Sequence, residues 1–168
     1  MKLVFQKDAL LNGISIVSKA IPSKTTMTIL ECILINADAN DIKLTGNDME
    51  LGIETKVEGS ILERGKIALE AKLFYEIVRK LPDGNSPVTI TSDNRFNTSI
   101  ECENASFHIQ GRDGDEFSYL PYIERDQHIS LTQFTLKESI RQTIFSISPN
   151  DSNKMMAGEL MEVKDDVF

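Results

Sequence analysis

The chain has 168 residues, of which 40% are hydrophobic and 26% are charged, as in a folded domain rather than a disordered segment. Its longest apolar runs are too short to cross a bilayer, and the opening MKLVFQKD lacks the apolar core of a signal peptide, so a cytoplasmic protein is expected. The net charge of −8, taken alone, argues against a nucleic-acid partner, because phosphate-binding proteins usually carry a basic face.

The first elements predicted along the chain are a short strand, a helix and three further strands. KLVF predicts the first strand, and residues 6–20 predict an amphipathic helix, because their apolar residues recur at i, i+4 and i+7. Residues 29–38, 41–46 and 49–57 then alternate with period two, as half-buried strands do, and the turn sequence NAND separates the first two. The pattern predicts a strand–helix–strand–strand–strand unit.

The stretch LTGNDMELGIE (44–54) poses a separate question, because Asp48 and Glu50 lie two residues apart beside a glycine. Paired carboxylates of this kind hold metal ions and perform general acid/base catalysis. Alternation along a strand predicts that Met49 and Leu51 face the packed side, so that the two carboxylates face solvent. The sequence shows no histidine or third carboxylate converging on them. The acidic pair is therefore predicted to belong to the wet outer side of a sheet.

The same unit recurs further along the chain. GKIAL (65–69) precedes a second predicted helix over 70–81, and strands are predicted over 87–92, 98–103 and 106–111. Turn sequences DGN and DNRFN lie between these elements. A second complete strand–helix–strand–strand–strand unit is therefore predicted.

A third copy begins after a polar, turn-rich segment. HISLTQF precedes a helix predicted over 135–148, which a capping box of Thr135 and Glu138 begins, and AGELMEV predicts one further strand. The three helices share an apolar triplet, and the offsets of 64 and 66 residues between triplets indicate a true repeat. The triplets are Leu10, Ile14 and Val17; Phe74, Val78 and Leu81; and Ile140, Ile144 and Ile147.

This repeat predicts an α+β fold of repeated β-α-β-β-β units, in which antiparallel sheets carry helices on one face only. The two complete copies predict a first domain over 1–125. The third copy predicts the truncated start of a second domain over 126–168, because the strands that would complete its sheet are missing from the chain.

Sequence features that carry catalysis or metal binding are sparse. His108 and His128 lie in or beside strands, and the sequence has no catalytic-triad order, zinc-ligand spacing or phosphate loop. GRDGDE (111–116) lacks the length and closing glutamate of a calcium loop and is predicted to be a turn. Cys32 and Cys102 lie in apolar strands and are predicted to be buried thiols. The chain is therefore predicted not to be an enzyme, and no cofactor or metal is expected.

Charge is distributed unevenly between the predicted layers. With Glu70 at the start of the second helix left out, the three helices and the loop after the first carry eight basic and three acidic side chains, so this layer is +5 and the rest of the chain is −13. A basic helical side can face a polyanion while the acidic side faces water. The alternative is that short helices simply carry Lys and Arg on their solvated side. The basic residues are Lys7, Lys19, Lys24, Lys72, Arg79, Lys80, Lys137 and Arg141, and the acidic ones are Asp8, Glu76 and Glu138.

Several segments, in this order and spacing, resemble the amino-terminal part of bacterial DNA polymerase III beta subunits, the sliding-clamp family. The resemblance runs along the whole chain and is carried by MKLVFQKDALLNGISIVSKAI, ILECILINADANDIKLTGNDMELGIE, EAKLFYEIVRKLP, FHIQGRDGDEFSYLP and FTLKESIRQTIFSIS. It implies a DNA-clamp fold, in which two three-domain subunits join head to tail into a ring, with helices inside and sheets outside.

The function implied by this resemblance is that of a processivity factor, which encircles duplex DNA without sequence specificity and tethers the replicative polymerase. A basic lining then attracts phosphate while the acidic outside discourages external binding, which reconciles the net charge with a DNA partner. The alternative is a protein-interaction module built of repeats, without DNA binding.

The resemblance also implies which residues contact duplex DNA. Lys24, in AIPSKTTM, lies where the family has a basic loop residue that contacts DNA, and Asn150 lies where the family has a polar one. Further candidate contacts on the lining helices are Lys72, Arg79, Lys80 and Lys137.

Two protein-binding surfaces are implied as well. The head-to-tail joint falls on ENASFHIQG, where Phe107 and Ile109 are the apolar members. Asn104 and Ser106 stand where the family's best-known pattern has basic residues, so an apolar, strand-pairing joint is expected. The pocket that takes short peptide motifs of the polymerase and the clamp loader lies mostly beyond this chain. The residues expected at its rim are Met156, Asn153 and Met155.

Overall fold

The computed structural model describes residues 1–38, 41–84, 86–118, 120, 129–148 and 154–162. The chain forms two compact units, Met1–Pro121 and Tyr122–Phe168. The predicted domain boundary after residue 125 lies within 121–128, outside the described residues, and stays a prediction. None of the described helices is long and apolar enough to cross a membrane.

The first unit contains two helices and ten strands among the described residues, in two successive runs. The first run is β1 (Lys2–Phe5), α1 (Lys7–Val17), β2 (Cys32–Asp38), β3 (Asp41–Asn47), β4 (Gly52–Lys56) and β5 (Gly59–Glu63). The second run is β6 (Gly65–Glu70), α2 (Ala71–Lys80), β7 (Val88–Ser92), β8 (Asn97–Cys102), β9 (Ala105–Gln110) and β10 (Arg112–Asp113). Short 3-10 turns lie at Ser18–Ala20, Thr28–Glu31 and Gly114–Glu116.

These strands form two five-stranded sheets, in the orders β5-β1-β7-β8-β9 and β10-β6-β2-β3-β4. Every neighbouring pair is antiparallel. Each run therefore contributes its first and last strands to the sheet built by the other run. β1 pairs with β7 and carries β5 at its other edge, and β6 pairs with β2 and carries β10. This exchange joins the two repeats into one domain, and the α+β prediction with antiparallel sheets is confirmed.

The sequence pattern does not predict β5 or β10. In β5 only Ile61 is half-buried, and its neighbours on both sides, including Leu62, are exposed, so no alternation is visible. β10 is two residues long and pairs only with β6. Both strands lie at a sheet edge, where burial imposes the weakest pattern on the sequence.

Both helices of the first unit bury the predicted apolar face in the main core. Leu10, Ile14 and Val17 of α1 are fully buried, and so are Phe74 and Val78 of α2. They pack with apolar residues from both sheets, and each such side chain contributes about 1.5–3 kcal/mol to folding. The i, i+4, i+7 spacing therefore identifies the inner side of both helices.

A glycine allows α1 to lie close to the second sheet. A Cβ at Gly46 of β3 would lie 2.4 Å from the backbone carbonyl oxygen of Val17 at the end of α1. Backbone atoms at this distance cannot relax as a flexible side chain can, so any other residue at Gly46 would push the helix away from the sheet.

The acidic stretch of residues 48–51 is a tight turn, not the continuous strand that the sequence analysis predicts. Met49 has a φ of 75° and is 62% exposed, and Leu51 is also exposed, so neither side chain faces the packed side. The Asp48 carboxylate accepts hydrogen bonds from the backbone N–H groups of Glu50 (2.9 Å) and Leu51 (2.6 Å). Asn47 binds the N–H of Met49 in the same way (2.8 Å). Asp48 therefore stabilises a turn, a common role for Asx side chains.

The two cysteines are buried free thiols, as predicted. Cys32 belongs to a small second cluster on the other side of the second sheet, with Leu34, Ala68 and Phe117. Burial raises the pKa of the Cys32 thiol, which keeps it protonated and unreactive.

The described part of the second unit consists of α3 (Gln133–Thr143) with short 3-10 turns at Ile144–Ser146 and Lys154–Ala157. The helix cap is Thr132, not Thr135, because the Thr132 hydroxyl accepts the N–H of Thr135 at 3.1 Å. Helix α3 therefore begins earlier than predicted and ends earlier as well.

The strand predicted for AGELMEV is not present in its described residues 157–162. A strand needs a paired neighbour for its backbone hydrogen bonds. Here the described contact is instead a side-chain hydrogen bond, in which the hydroxyl of Thr143 on α3 donates to the Glu159 carboxylate at 2.9 Å.

Candidate nucleic-acid interface

Three exposed lysines lie on the helical side of the first unit. Lys19 lies in the 3-10 turn after α1, Lys24 in the loop that follows, and Lys72 in the first turn of α2. In the described part of the chain, none of the three forms an ion pair. Their ammonium groups are therefore available to an anion from solution.

Lys7, which the sequence analysis counts in the basic helical layer, does not belong to that surface. Its side chain is 8% exposed, and its ammonium group donates to the Leu81 carbonyl oxygen (2.6 Å) and the Asp83 carboxylate (2.5 Å). These bonds tie the start of α1 to the end of α2. The hydrogen bond from Lys7 lowers the pKa of the Asp83 carboxyl group.

Arg79 and Lys80, two of the predicted DNA contacts, are exposed but paired within their own helix. Arg79 lies 2.7 Å and Lys80 3.8 Å from the Glu76 carboxylate. The Arg79 hydrogen bond lowers the pKa of Glu76, which therefore stays ionised. The three side chains carry a net charge of only one, so they attract phosphate less strongly than two unpaired cations would.

A groove of about 370 Å³, here called the α1–α2 groove, lies between the end of α1 and the start of α2. Its polar lining consists of Lys72 and the hydroxyl residues Ser15, Ser18, Ser23 and Tyr75. Ile21, Pro22 and Ala71 form its apolar wall. Sequence reasoning missed this groove, although the three-residue spacing of Ser15 and Ser18 on one helical face was a visible signal.

The predicted joint residues lie on an edge strand beside a helix. β9 is the last strand of its sheet, and Phe107 and Ile109 are half-buried on the side that packs toward the core. Together with Leu73, Ile77 and other side chains of α2, they line a groove of about 310 Å³. Leu73 is 45% exposed. The strand edge and the apolar groove thus lie together, as an interface that pairs strands requires.

The remaining predicted site residues belong to the second unit. Lys137 is exposed on α3, where Arg141 pairs with Glu138 at 2.7 Å. Met156 is 57% exposed in a 3-10 turn. Asn150 and Asn153 lie outside the described residues, as does the side chain of Met155.

Two observations bear on catalytic or metal-dependent roles in the described part of the chain. No three His, Cys, Asp or Glu side chains there converge as metal ligands would. GRDGDE forms β10 and a 3-10 turn, in which the Asp113 side chain caps the N–H of Asp115 at 2.9 Å, as predicted for a turn.

A repeat-built α+β domain with exchanged first strands, and with free cations on its helical side, defines a protein of the DNA-clamp class. Residues 1–121 match the family model described as DNA polymerase III beta subunit, N-terminal domain. The beta sliding clamp of Halalkalibacterium halodurans is 36% identical over 100% of this chain and 46% of its own length. That of Bacillus subtilis is 37% identical over 94% of this chain and 43% of its own length.

Solved structures agree with this match. A putative DNA polymerase III beta subunit from Eubacterium rectale superposes with a TM-score of 0.85 and 63% identity, over 93% of this chain and 42% of that one. The Bacillus subtilis sliding clamp gives 0.84 and 36%, over 92% of this chain and 42% of that one. The chain belongs to the DNA polymerase III beta subunit family, and it spans about half the length of the curated relatives it matches.

Proposed function

We propose that this chain is the first part of a ring-shaped sliding clamp, a non-catalytic processivity factor that encircles duplex DNA and tethers the replicative polymerase. Family membership supports this function, and the observation that carries it in this chain is the set of exposed, unpaired lysines on the helical side: Lys19, Lys24 and Lys72.

Contacts of this kind suit a protein that slides. Lysine contacts to phosphate carry no sequence information and weaken as salt rises. Closure of the ring retains the DNA, so that individual contacts can stay weak and partly water-mediated. Asn150 and Lys137, which belong to the second unit, are further DNA contacts in our proposal, whereas Arg79 and Lys80 contribute less because of Glu76.

The partners follow from the same proposal. A second copy joins head to tail at β9, where Phe107 and Ile109 supply apolar contact and the free strand edge supplies backbone hydrogen bonds. The polymerase and the clamp loader bind through short peptide motifs, with Met156, Asn153 and Met155 at the rim of their pocket.

The Lys24→Ala variant tests the proposed DNA contact. In the complete ring, we expect it to weaken DNA binding a few-fold at low salt and to lower the salt slope by about one, without loss of folding. Fluorescence anisotropy with a labelled duplex, repeated at several salt concentrations, measures both quantities. Arg95→Ala, in the exposed turn between β7 and β8, is the matched control. Unchanged affinity at low salt would remove Lys24 from the site.

A second experiment separates the clamp from the interaction module without DNA. A closed ring stays on circular duplex DNA through gel filtration and leaves once the DNA is cut. A module without DNA binding would elute apart from both forms of DNA.

A further inference from the structure

We infer that the α1–α2 groove seats one phosphate–sugar unit of a duplex strand. In this arrangement, hydroxyl groups and the Lys72 ammonium group together bind the phosphate. The inference rests on the proposed function and deepens it, because it adds neutral contacts to a surface so far described only by its cations.

The chemistry of the groove fits an anion. Its lining has one ammonium group and four hydroxyl groups but no carboxylate. The Ser18 hydroxyl already donates to the Ile14 carbonyl oxygen at 2.7 Å. Within the described part of the chain, the hydroxyls of Ser15, Ser23 and Tyr75 have no hydrogen-bond partner, so all three can donate to phosphate oxygens. Serine and tyrosine hydroxyls are regular partners of the DNA backbone.

Charge around the groove favours the same occupant. Lys19 follows the groove-lining Ser18 in sequence, and Lys24 follows Ser23, so two further exposed lysines lie within one residue of the lining. The Glu70 carboxylate caps α2 by accepting the N–H groups of Lys72 (3.2 Å) and Leu73 (3.1 Å). Because Glu70 already accepts these N–H groups at the start of α2, a bound phosphate would accept hydrogen bonds from side chains instead.

The apolar wall of the groove fits the sugar part of the proposed phosphate–sugar unit. Of the apolar lining residues, Ile21 and Pro22 are half-buried and Ala71 is buried. An apolar wall does not stabilise a bare phosphate ion, whereas the carbon face of a deoxyribose can pack against it. The combination of wall, hydroxyls and cations matches a nucleic-acid backbone better than it matches a free anion or an acidic peptide side chain.

The test removes the hydroxyls and keeps the charge. In the triple variant Ser15→Ala, Ser23→Ala and Tyr75→Phe, we expect the affinity of the chain for a fluorescein-labelled 20-bp duplex to fall about tenfold at low salt. The salt slope should not change, because no cation is lost. Lys72→Met should lower the affinity and also reduce the slope by about one. Ser60→Ala, exposed on the edge strand β5, is the control and should bind like the unmodified chain.

Amide chemical shifts provide a second readout that needs no variant. On titration with the duplex, the N–H signals of Ser15, Ser23 and Lys72 should move together, ahead of those on β9. Suppose that the unmodified chain binds duplex, that Lys24→Ala weakens this binding, and that the triple variant binds normally without movement of the groove amide signals. The groove inference is then overturned, and the proposed function survives. If the unmodified chain binds no duplex even at low salt, the groove inference falls, while retention of the complete ring on circular DNA still decides the proposed function. An acidic peptide that moves the groove amides at a lower concentration than the duplex does would also overturn the inference.

Discussion

Reversal of the three free helix-side lysines, as Lys19→Glu, Lys24→Glu and Lys72→Glu in one variant, is expected to weaken duplex binding about 100-fold or more at 50 mM salt. Each lost cation removes a phosphate contact and with it about 0.9 of the salt slope, and each added carboxylate repels the backbone. Anisotropy titrations at several salt concentrations give the affinity and the slope.

The matched control makes the same change in net charge on the sheet side. Lys2→Glu, Arg64→Glu and Arg95→Glu place three carboxylates on β1 and in the turns before β6 and β8. If only total charge governed binding, the two triple variants would lose affinity equally. A loss confined to the helix-side variant supports a DNA-facing helical layer, and equal losses would contradict it.

The second large effect concerns the core that holds the helical layer in place. Phe74→Ala removes a fully buried ring from α2 and should destabilise the domain by about 3–5 kcal/mol. That is a large share of the roughly 5–15 kcal/mol that stabilises a typical domain, so a clearly lower urea midpoint is expected. Urea denaturation followed by circular dichroism measures the change.

The neighbouring residue is the control for this prediction. Leu73 is 45% exposed, so Leu73→Ala should cost less than about 1 kcal/mol. Similar midpoints for Phe74→Ala and the unmodified chain would mean that α2 does not bury this face in the core. The assignment of its opposite face to DNA would then lose its basis.

Features governed by local periodicity were predictable from the sequence. The triplets of α1 and α2 mark their buried faces, because a helix packed on a sheet must place apolar residues every three or four positions. The antiparallel strands follow from period two for the same reason. The third helix shows the limit of this reasoning, since its Ile144 is 54% exposed despite lying in an equivalent triplet.

Features governed by distant contacts were not predictable. Lys7 reads as a surface cation, and only the fold brings Asp83, 76 residues away, within 2.5 Å of it. Nothing in the sequence of β1 or β6 indicates that each strand joins the sheet of the other run. By contrast, the pairing of Glu76 with Arg79 is visible in the sequence, because the two residues are spaced at i, i+3.

The central claim is that the helices face DNA and the sheets face away from it. A photo-crosslinking amino acid at Asn12, exposed on α1, and separately at Glu101, exposed on the outer face of β8, tests it directly. With duplex DNA at low salt, the account predicts cross-linked DNA from position 12 and none above background from position 101. Equal cross-linking from both positions, or stronger cross-linking from position 101, would contradict it.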